Sequence, residues 1–466
     1  MLFRYPLTGL RPDPSLPDCT QLTSGGESKP VFFCCLSGMA AYVPREINTI
    51  QTVFRHSRSA YAQYAEPPPD ILAKIDEFIA CADWAKGVAR IRCDDCDHSY
   101  FRPFSCKAFH LCPSCDQKRT LLYAEYLADE LLLALPHRQF VFTIPKMLRP
   151  YFKTNRRLFG EVSRRIADLL SGFFSEAAGR PLQSGCVVSF QSFGEFARFH
   201  PHWHVLVLEG GFTAKDRFIY LPMGADEGMV KVWQEIMLAF FLGKGLIDQA
   251  RVTMLRAWKH SGFSVESETR LLTKNDREAL GQYVVRGATS QEKISYDEST
   301  DTVSWAAAPK GFFKGQVETF RGFEFVDQLA AHIPPRRVQL VRRYGIYAGK
   351  VRAQWVDRPA IVHLATVGWQ SSHIVRDKRI EDEGDIDSVV AEPDAWAQLR
   401  KQSWARLLQK IYEVDPFLCP KCNGQMRVVA IIQDREELRK IIAWASMKTL
   451  SQQALLPVGP GPPVPA

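Results

Sequence analysis

The segment His200-Pro201-His202-Trp203-His204 sets three imidazoles on alternate residues. Side chains at i and i+2 of a β-strand share a face, so one extended run can bring two or three neutral nitrogens around a single cation. The flanks read as strand: Cys186-Val187-Val188-Ser189-Phe190 precedes the segment, and Val205-Leu206-Val207-Leu208 follows it before Gly210-Gly211. Trp203 and Val205 then fall on the opposite, packed face. Imidazole is the commonest side-chain metal ligand, and with only 11 histidines in 466 residues the alternation points to a metal site.

The length predicts more than one domain, and 46% hydrophobic with 24% charged residues is ordinary for a globular protein. A net charge of +8 is mild, so its distribution carries the information. Between Tyr100 and Arg165 there are 12 Lys/Arg against 5 Asp/Glu, and Arg336 to Arg352 holds six basic residues and no acidic one. Tyr344, Tyr347 and Trp355 lie in or beside the second cluster, as a groove tracking a nucleic-acid strand requires. Arg336, Arg337, Arg342, Arg343, Tyr344 and Lys350 are the DNA-contact candidates. The longest N-terminal apolar run, Val31 to Val43, covers 13 residues, short of the roughly 20 that cross a bilayer. A cytoplasmic protein with no membrane partner is expected, nucleoid-associated when it acts on DNA.

Most of the 12 cysteines come in close pairs, which favours zinc in a reducing compartment over a disulfide framework. Cys93-x-x-Cys96 and Cys112-x-x-Cys115 together fit a four-thiolate structural Zn²⁺ site. Cys106 and His110 stand close enough to replace one of the four, and the spacing leaves that open. Cys419-Pro420-Lys421-Cys422 is half of a second site, whose partners must be cysteines elsewhere, histidine or another protomer.

A helix is expected from Lys274 to Arg286, opened by a Thr273/Asp276 capping box and stopped by Gly287. Tyr283 and Arg286 are three residues apart on it and so share a face. A cation beside a phenol favours the phenolate, a competent nucleophile towards phosphorus. Apolar spacing predicts further helices over Asp70–Trp84, Gln117–Leu135, Thr154–Phe174 and Asp394–Glu413, a strand at Phe140–Ile144, and β-structure over 302–326.

These motifs, with Phe142-Thr143-Ile144-Pro145-Lys146, Gln191-Ser192-Phe193-Gly194, Tyr283-Val284-Val285-Arg286, Val341-Arg342-Arg343-Tyr344-Gly345 and Tyr412-Glu413-Val414-Asp415-Pro416-Phe417-Leu418-Cys419-Pro420, resemble the rolling-circle HUH transposases of the insertion sequence ninety-one family, across residues 72 to 440. The resemblance implies an α+β fold: an HUH endonuclease palm-like antiparallel sheet with flanking helices, preceded by a small zinc-knuckle domain. It implies that His202 and His204 hold catalytic Mg²⁺ or Mn²⁺, with His200 a third-ligand candidate, and that Tyr283, assisted by Arg286, nicks and rejoins single-stranded DNA through a 5′-phosphotyrosine. Ala279 stands four residues before Tyr283, where two-tyrosine members carry their other tyrosine, so the chain resembles the single-tyrosine, common-region branch. A second step then draws on the freed 3′-hydroxyl, a second protomer in a homodimer, or another tyrosine such as Tyr296.

Six regions are expected on this reading: a poorly ordered extension over 1–69, a zinc-binding, DNA-binding domain over 70–125, the HUH catalytic domain over 126–355, a variable linker over 356–394, a C-terminal helix and CPKC module over 395–445, and a disordered Pro-rich tail over 446–466. Met39 is an alternative start. Expected partners are single-stranded DNA at transposon ends and target site, and the host replication machinery. Two other classes compete: a zinc-dependent hydrolase, for which a carboxylate close to the histidines is missing between His200 and Leu208, and a non-catalytic zinc-ribbon DNA-binding protein, which leaves the histidine strand and the tyrosine helix without a role.

Overall fold

Three alternating histidines need a strand held from both sides, and the fold supplies one. The structure, a computed structural model, describes residues 49–371 and 418–448, apart from residues 97, 109, 223, 226, 310, 311, 336 and 420. Along the chain, α1 (Thr49–Ala65), α2 (Pro69–Ile79), β1 (Val88–Cys93), β2 (Ser99–Pro103) and α3 (Pro113–Tyr126) precede β3 (His137–Thr143). Next come α4 (Pro150–Thr154), α5 (Leu158–Ala177), β4 (Gly185–Phe193), β5 (Phe199–Leu208), β6 (Gly210–Phe212) and β7 (Phe218–Tyr220). Then follow α6 (Glu227–Gly243), α7 (Gln249–Ala257), β8 (Ser264–Leu271), α8 (Lys274–Val285), β9 (Ile294–Asp297), β10 (Thr302–Ala306), β11 (Val317–Arg321) and α9 (Gly322–Ala330). The last are β12 (Val341–Gly345), α10 (Gly349–Ala353), α11 (Pro359–Val362), β13 (Met426–Ile432) and α12 (Arg435–Lys448).

The main sheet is antiparallel throughout, in the order β12-β4-β5-β3-β8, so the histidine strand β5 is its centre. One face buries Phe140, Phe142, Val188, Phe190, Trp203 and Val205 against α5 and α6. At one end of the other face, Val187, Leu206 and Leu208 pack with Tyr347, Trp355 and Trp369. The histidine end of that face is left for α8. Proline is unusual in a central strand because it cannot donate to the ladder. Pro201 escapes that penalty by position: β3 pairing ends at Thr143↔His202, and the β4 register shifts between Gln191 and Phe193.

The hairpin between β4 and β5 turns through Phe196 and Ala197, both left-handed at φ 55° and 49°. Such backbone costs roughly 1–2 kcal/mol per non-glycine residue. Burying Phe196 offsets it, and the side chains of Gln328 and His332 donate to the Phe196 and Ala197 carbonyls at 3.1 and 2.6 Å.

The expected boundaries need correction in three places. The extension placed over 1–69 ends in a packed helix: α1 buries Ile50, Val53, Phe54 and Tyr61 beside α9, a spacing masked by the intervening polar residues. The linker placed over 356–394 begins inside the core, since Ile361, Ala365 and Trp369 are buried and Thr366 donates to the Asp129 carbonyl. The C-terminal module is no separate unit either, because β13 pairs antiparallel with β1 in a sheet ordered β13-β1-β2. The helix expected over 394–413, the rest of the linker, the residues before 49 and those after 448 lie outside the described residues, as does Arg336. Among the described residues no helix is long and apolar enough to cross a membrane.

Burial pushes His137 down to about 3 and His332 to about 4, so both stay neutral in the fold where a free imidazole takes a proton near 6.5. The unfolded chain binds the extra protons in that interval, so stability is full above about pH 6.5 and falls as pH drops towards 4, by roughly 1 kcal/mol per pH unit per histidine. Urea midpoints measured from pH 7 to 4.5 are expected to fall steeply below 6.5, and less steeply in His332→Asn.

Candidate active site

Period two along β5 sends His202 and His204 to one face and Trp203 to the other. Their cross-strand neighbours are Gln191 and Ser189 on β4, and Thr143 and Val141 on β3. The two Nε2 atoms stand 3.1 Å apart. Each ring is steered from behind. His202 Nδ1 is 2.8 Å from the His200 carbonyl, to which its N–H donates, and His204 Nδ1 is 3.2 Å from the Gln139 amide. Turning that amide so that its oxygen accepts from Nδ1–H leaves both Nε2 lone pairs free, the state a cation requires. Desolvation lowers His202 to about 4 and takes His204 well below its usual value, so both rings are neutral near pH 7.

His200 is lowered by burial to about 4, and its ring centroid lies 5.3 Å from that of His202. It is not drawn into the close pair: among the described residues, the groups of three or more ligand atoms within 4.8 Å of one another are all cysteine. The guanidinium charges of Arg286 and Arg149 both bear on His202, and sequence reasoning missed Arg149.

Helix α8 brings Tyr283 to this pair. Its start is as expected, with Thr273 Oγ1 accepting from the Asp276 amide and the Asp276 carboxylate from the Thr273 amide. Its end is held by side chains. Helix C-termini leave carbonyls without partners, and here Gln191 Nε2 donates to the Tyr283 and Val284 carbonyls at 3.3 and 3.1 Å, Ser189 Oγ to Val284 at 2.7 Å, and Thr120 Oγ1 to Val285 at 3.5 Å. Two of these three donors flank the histidines on the same sheet face. Tyr283 consequently sits edge-on to His204, ring centroids 5.3 Å apart, and remains 41% exposed, within reach of a substrate. Arg286 leaves the helix at its cap, and its guanidinium stacks 4.2 Å from the Tyr283 ring centroid.

Tyr296 is placed elsewhere. It packs with the α1/α9 cluster, donates to Asp301 at 2.9 Å, and is pushed up to about 12 by burial and that carboxylate, which makes it a poor nucleophile. Ser189, Gln191 and Gln139 were also missed by the sequence reading; their signal was alternation on strands neighbouring the histidines.

The cysteines form two quartets, and the single site expected from Cys93, Cys96, Cys112 and Cys115 is divided between them. Cys93 and Cys96 join Cys419 and Cys422; Cys112 and Cys115 join Cys81 and Cys106. Close sequence spacing suggested one knuckle, but β13 carries the distant CPKC pair to the end of β1. Sulfur pairs lie at 3.5 Å for Cys93/Cys422 and Cys96/Cys419, 3.7 Å for Cys81/Cys112 and 3.6 Å for Cys106/Cys115. A zinc tetrahedron with bonds of 2.3 Å has edges of about 3.8 Å, so both quartets fit Zn²⁺. His110 is no ligand; its ring meets Arg119 at 3.4 Å.

The Cys112/Cys115 quartet sits at the start of α3, and α3 packs on α8. A Cβ on Gly281 would stand 3.0 Å from Ala124 Cα, and one on Gly287 only 2.6 Å from an Asp116 oxygen, so glycine permits a close approach at both positions.

A family model described as "Transposase zinc-binding domain" matches residues 53–144, and one described as "Putative transposase" matches 185–354, together more than half of the chain. The chain belongs to the IS91 family of transposases. In that family it is 24% identical to the "Transposase for insertion sequence element IS801" of Pseudomonas savastanoi pv. phaseolicola, over 84% of this chain and 91% of that protein. It is 27% identical to the "Putative transposase y4qJ" of Sinorhizobium fredii (strain NBRC 101917 / NGR234), over 66% of this chain and 81% of that one. No solved structure matches. The zinc-binding match spans the whole Cys81/Cys106/Cys112/Cys115 quartet and only half of the other.

Elemental analysis of the purified IS91-family chain is expected to give two zinc ions per molecule, and one after Cys419→Ser/Cys422→Ser. An unchanged count in that variant would remove the second site.

Proposed function

We propose that this transposase nicks and rejoins single-stranded DNA at the ends of its insertion sequence, as a metal-dependent HUH endonuclease working by rolling-circle transposition. The observation that carries this is the meeting of Tyr283 with the His202/His204 pair: a half-exposed phenol edge-on to two neutral imidazoles whose Nε2 atoms converge. His202 and His204 would hold Mg²⁺ or Mn²⁺, with His200 in reserve as a ligand. A divalent cation bound there polarises the scissile phosphate and offsets the charge that builds on its oxygens.

Tyr283 attacks phosphorus in line. The O–P bond to tyrosine forms as the P–O3′ bond breaks, the phenolic proton is lost, and the departing 3′-oxygen ends protonated. The products are a 5′-phosphotyrosine and a free 3′-hydroxyl, which keep the bond energy for rejoining without ATP. Arg286, stacked on the ring, meets the phosphate charge as it arrives. With one tyrosine on α8, the second step falls to the freed 3′-hydroxyl or to the tyrosine of a second protomer; Tyr296, tied to Asp301, is a poor substitute. Arg342, Arg343, Tyr344 and Lys350, with Arg336 and Arg337, contribute the DNA-binding surface, and host replication restores the displaced strand.

A zinc hydrolase needs a carboxylate at the histidines and has none among the described residues within ligand range. A non-catalytic regulator gives no reason for three side-chain donors to fix the end of α8 beside them.

Labelled single-stranded DNA from the flanks of the gene, incubated with Mg²⁺ or Mn²⁺ and run on a denaturing gel, is expected to give a protein-linked band. Tyr283→Phe removes the band, a loss of at least about 10³-fold, while DNA binding persists. His202→Ala/His204→Ala abolishes it under any metal. Cleavage retained in Tyr283→Phe would move the nucleophile elsewhere, and binding without a covalent product in the wild type would favour the regulator.

A further inference from the structure

Strand β12 is an outer strand of the main sheet, paired only with β4 among the described residues. Around it opens a cavity of about 740 Å³, within the roughly 300–1,000 Å³ range of ordinary ligand sites. Its lining includes Arg119, Arg164, Arg342 and Arg343, and among the described residues no carboxylate. Arg342 and Arg343 are consecutive on the strand and therefore straddle the edge. Arg342 lies against α5, where a Cβ on Gly160 would stand 2.5 Å from its guanidinium, and Arg343 donates to the Tyr126 hydroxyl on α3 at 2.7 Å.

Arg164, exposed on α5, stacks 5.5 Å from the Tyr344 ring centroid. Among the described residues none of Arg164, Arg342 and Arg343 forms an ion pair with a carboxylate. Tyr123 also lines the cavity, with a buried hydroxyl that has no hydrogen-bond partner among the described residues. Like charges gathered around one strand edge, with a bare hydroxyl beside them, suit a polyanion rich in acceptors. A smaller recess shares His110, Arg119, Val285 and Val341 with the cavity and reaches Gln191 and Arg286, beside Tyr283.

We propose that this arginine-lined cavity receives the unpaired DNA next to the scissile phosphate. Its backbone phosphates lie on Arg119, Arg164, Arg342 and Arg343, and an unpaired base accepts from the Tyr123 hydroxyl. The proposal rests on the nicking reading above and adds to it a single-strand subsite on the far side of α8's end. A second copy of the chain adding a strand to β12 is the competing occupant. Among the described residues three of these four guanidiniums have no carboxylate partner, Arg119 alone standing 3.9 Å from Asp116, and the excess of positive charge favours phosphate.

The test is fluorescence anisotropy of the full-length, zinc-loaded protein with fluorescein-labelled (dT)20, at several salt concentrations. Arg164→Glu/Arg342→Ala is expected to weaken binding at least 10-fold and to flatten the salt slope by about 1.4, two phosphates at about 0.7 each. Binding of a 20-base-pair duplex is expected to change less than 3-fold, and Arg164→Lys to bind (dT)20 like the wild type. Tyr283→Phe also binds (dT)20 as the wild type does whether or not Tyr283 is the nucleophile, so failure of the nicking reading shows in the covalent assay and failure of the subsite shows here. An unchanged affinity and slope, an equal loss for duplex, or a shift from dimer to monomer in sedimentation velocity would each overturn the assignment. Should the double variant not fold, photocross-linking of wild-type protein to a 5-bromodeoxyuridine oligonucleotide decides. Adducts on peptides holding Tyr123 or Tyr344 support the subsite, and adducts found only elsewhere refute it.

Discussion

The structure depends on how the end of α8 is bonded. Ser189 and Gln191 project from β4 on the same face as the histidines of β5, and both donate to carbonyls in the last turn of α8. Each bond contributes on the order of 1 kcal/mol, and leaving a buried carbonyl unmade costs more. Their greater effect is geometric. One strand pair fixes both the imidazole pair and the helix end carrying Tyr283, so the candidate nucleophile and the candidate metal ligands share one frame.

That frame is supported from further out. Trp203 and Val205 lock β5 from the opposite face, and His332 pins the left-handed β4–β5 turn by bonding Ser192 at 2.9 Å and Ala197 at 2.6 Å. On the outer side of α8, α3 approaches within glycine distance at Gly281, and the cysteine quartet anchors the start of α3. The zinc-binding part of an IS91-family transposase is in this way joined to the helix of the candidate nucleophile through packed backbone. The other quartet ties β1 to β13 and so brings the C-terminal segment back to the N-terminal part of the chain.

Much of this was legible in the sequence because period carries strong information. Alternating histidines gave the strand and its two faces, Thr273 and Asp276 gave the start of α8, and the three-residue spacing gave the Tyr283–Arg286 neighbourhood. The cysteine pairing was not legible, since ligand spacing reports only local knuckles and β13 pairs with a strand more than 300 residues earlier. Cys81 was overlooked for the same reason, standing alone at the end of α2. Ser189 and Gln191 were hidden in an ordinary strand, because the value of a polar residue there depends on which helix end it meets. The core role of Trp369 was likewise a matter of tertiary packing with no local signal.

The most direct test of a single centre built from β5 and α8 is tandem mass spectrometry of the protein after a Mn²⁺-supported reaction with single-stranded DNA from the element's end. A nucleotide adduct on the peptide around Tyr283, absent when the metal is withheld, is the result expected. An adduct on Tyr296 or any other residue would contradict the account, whatever the overall activity.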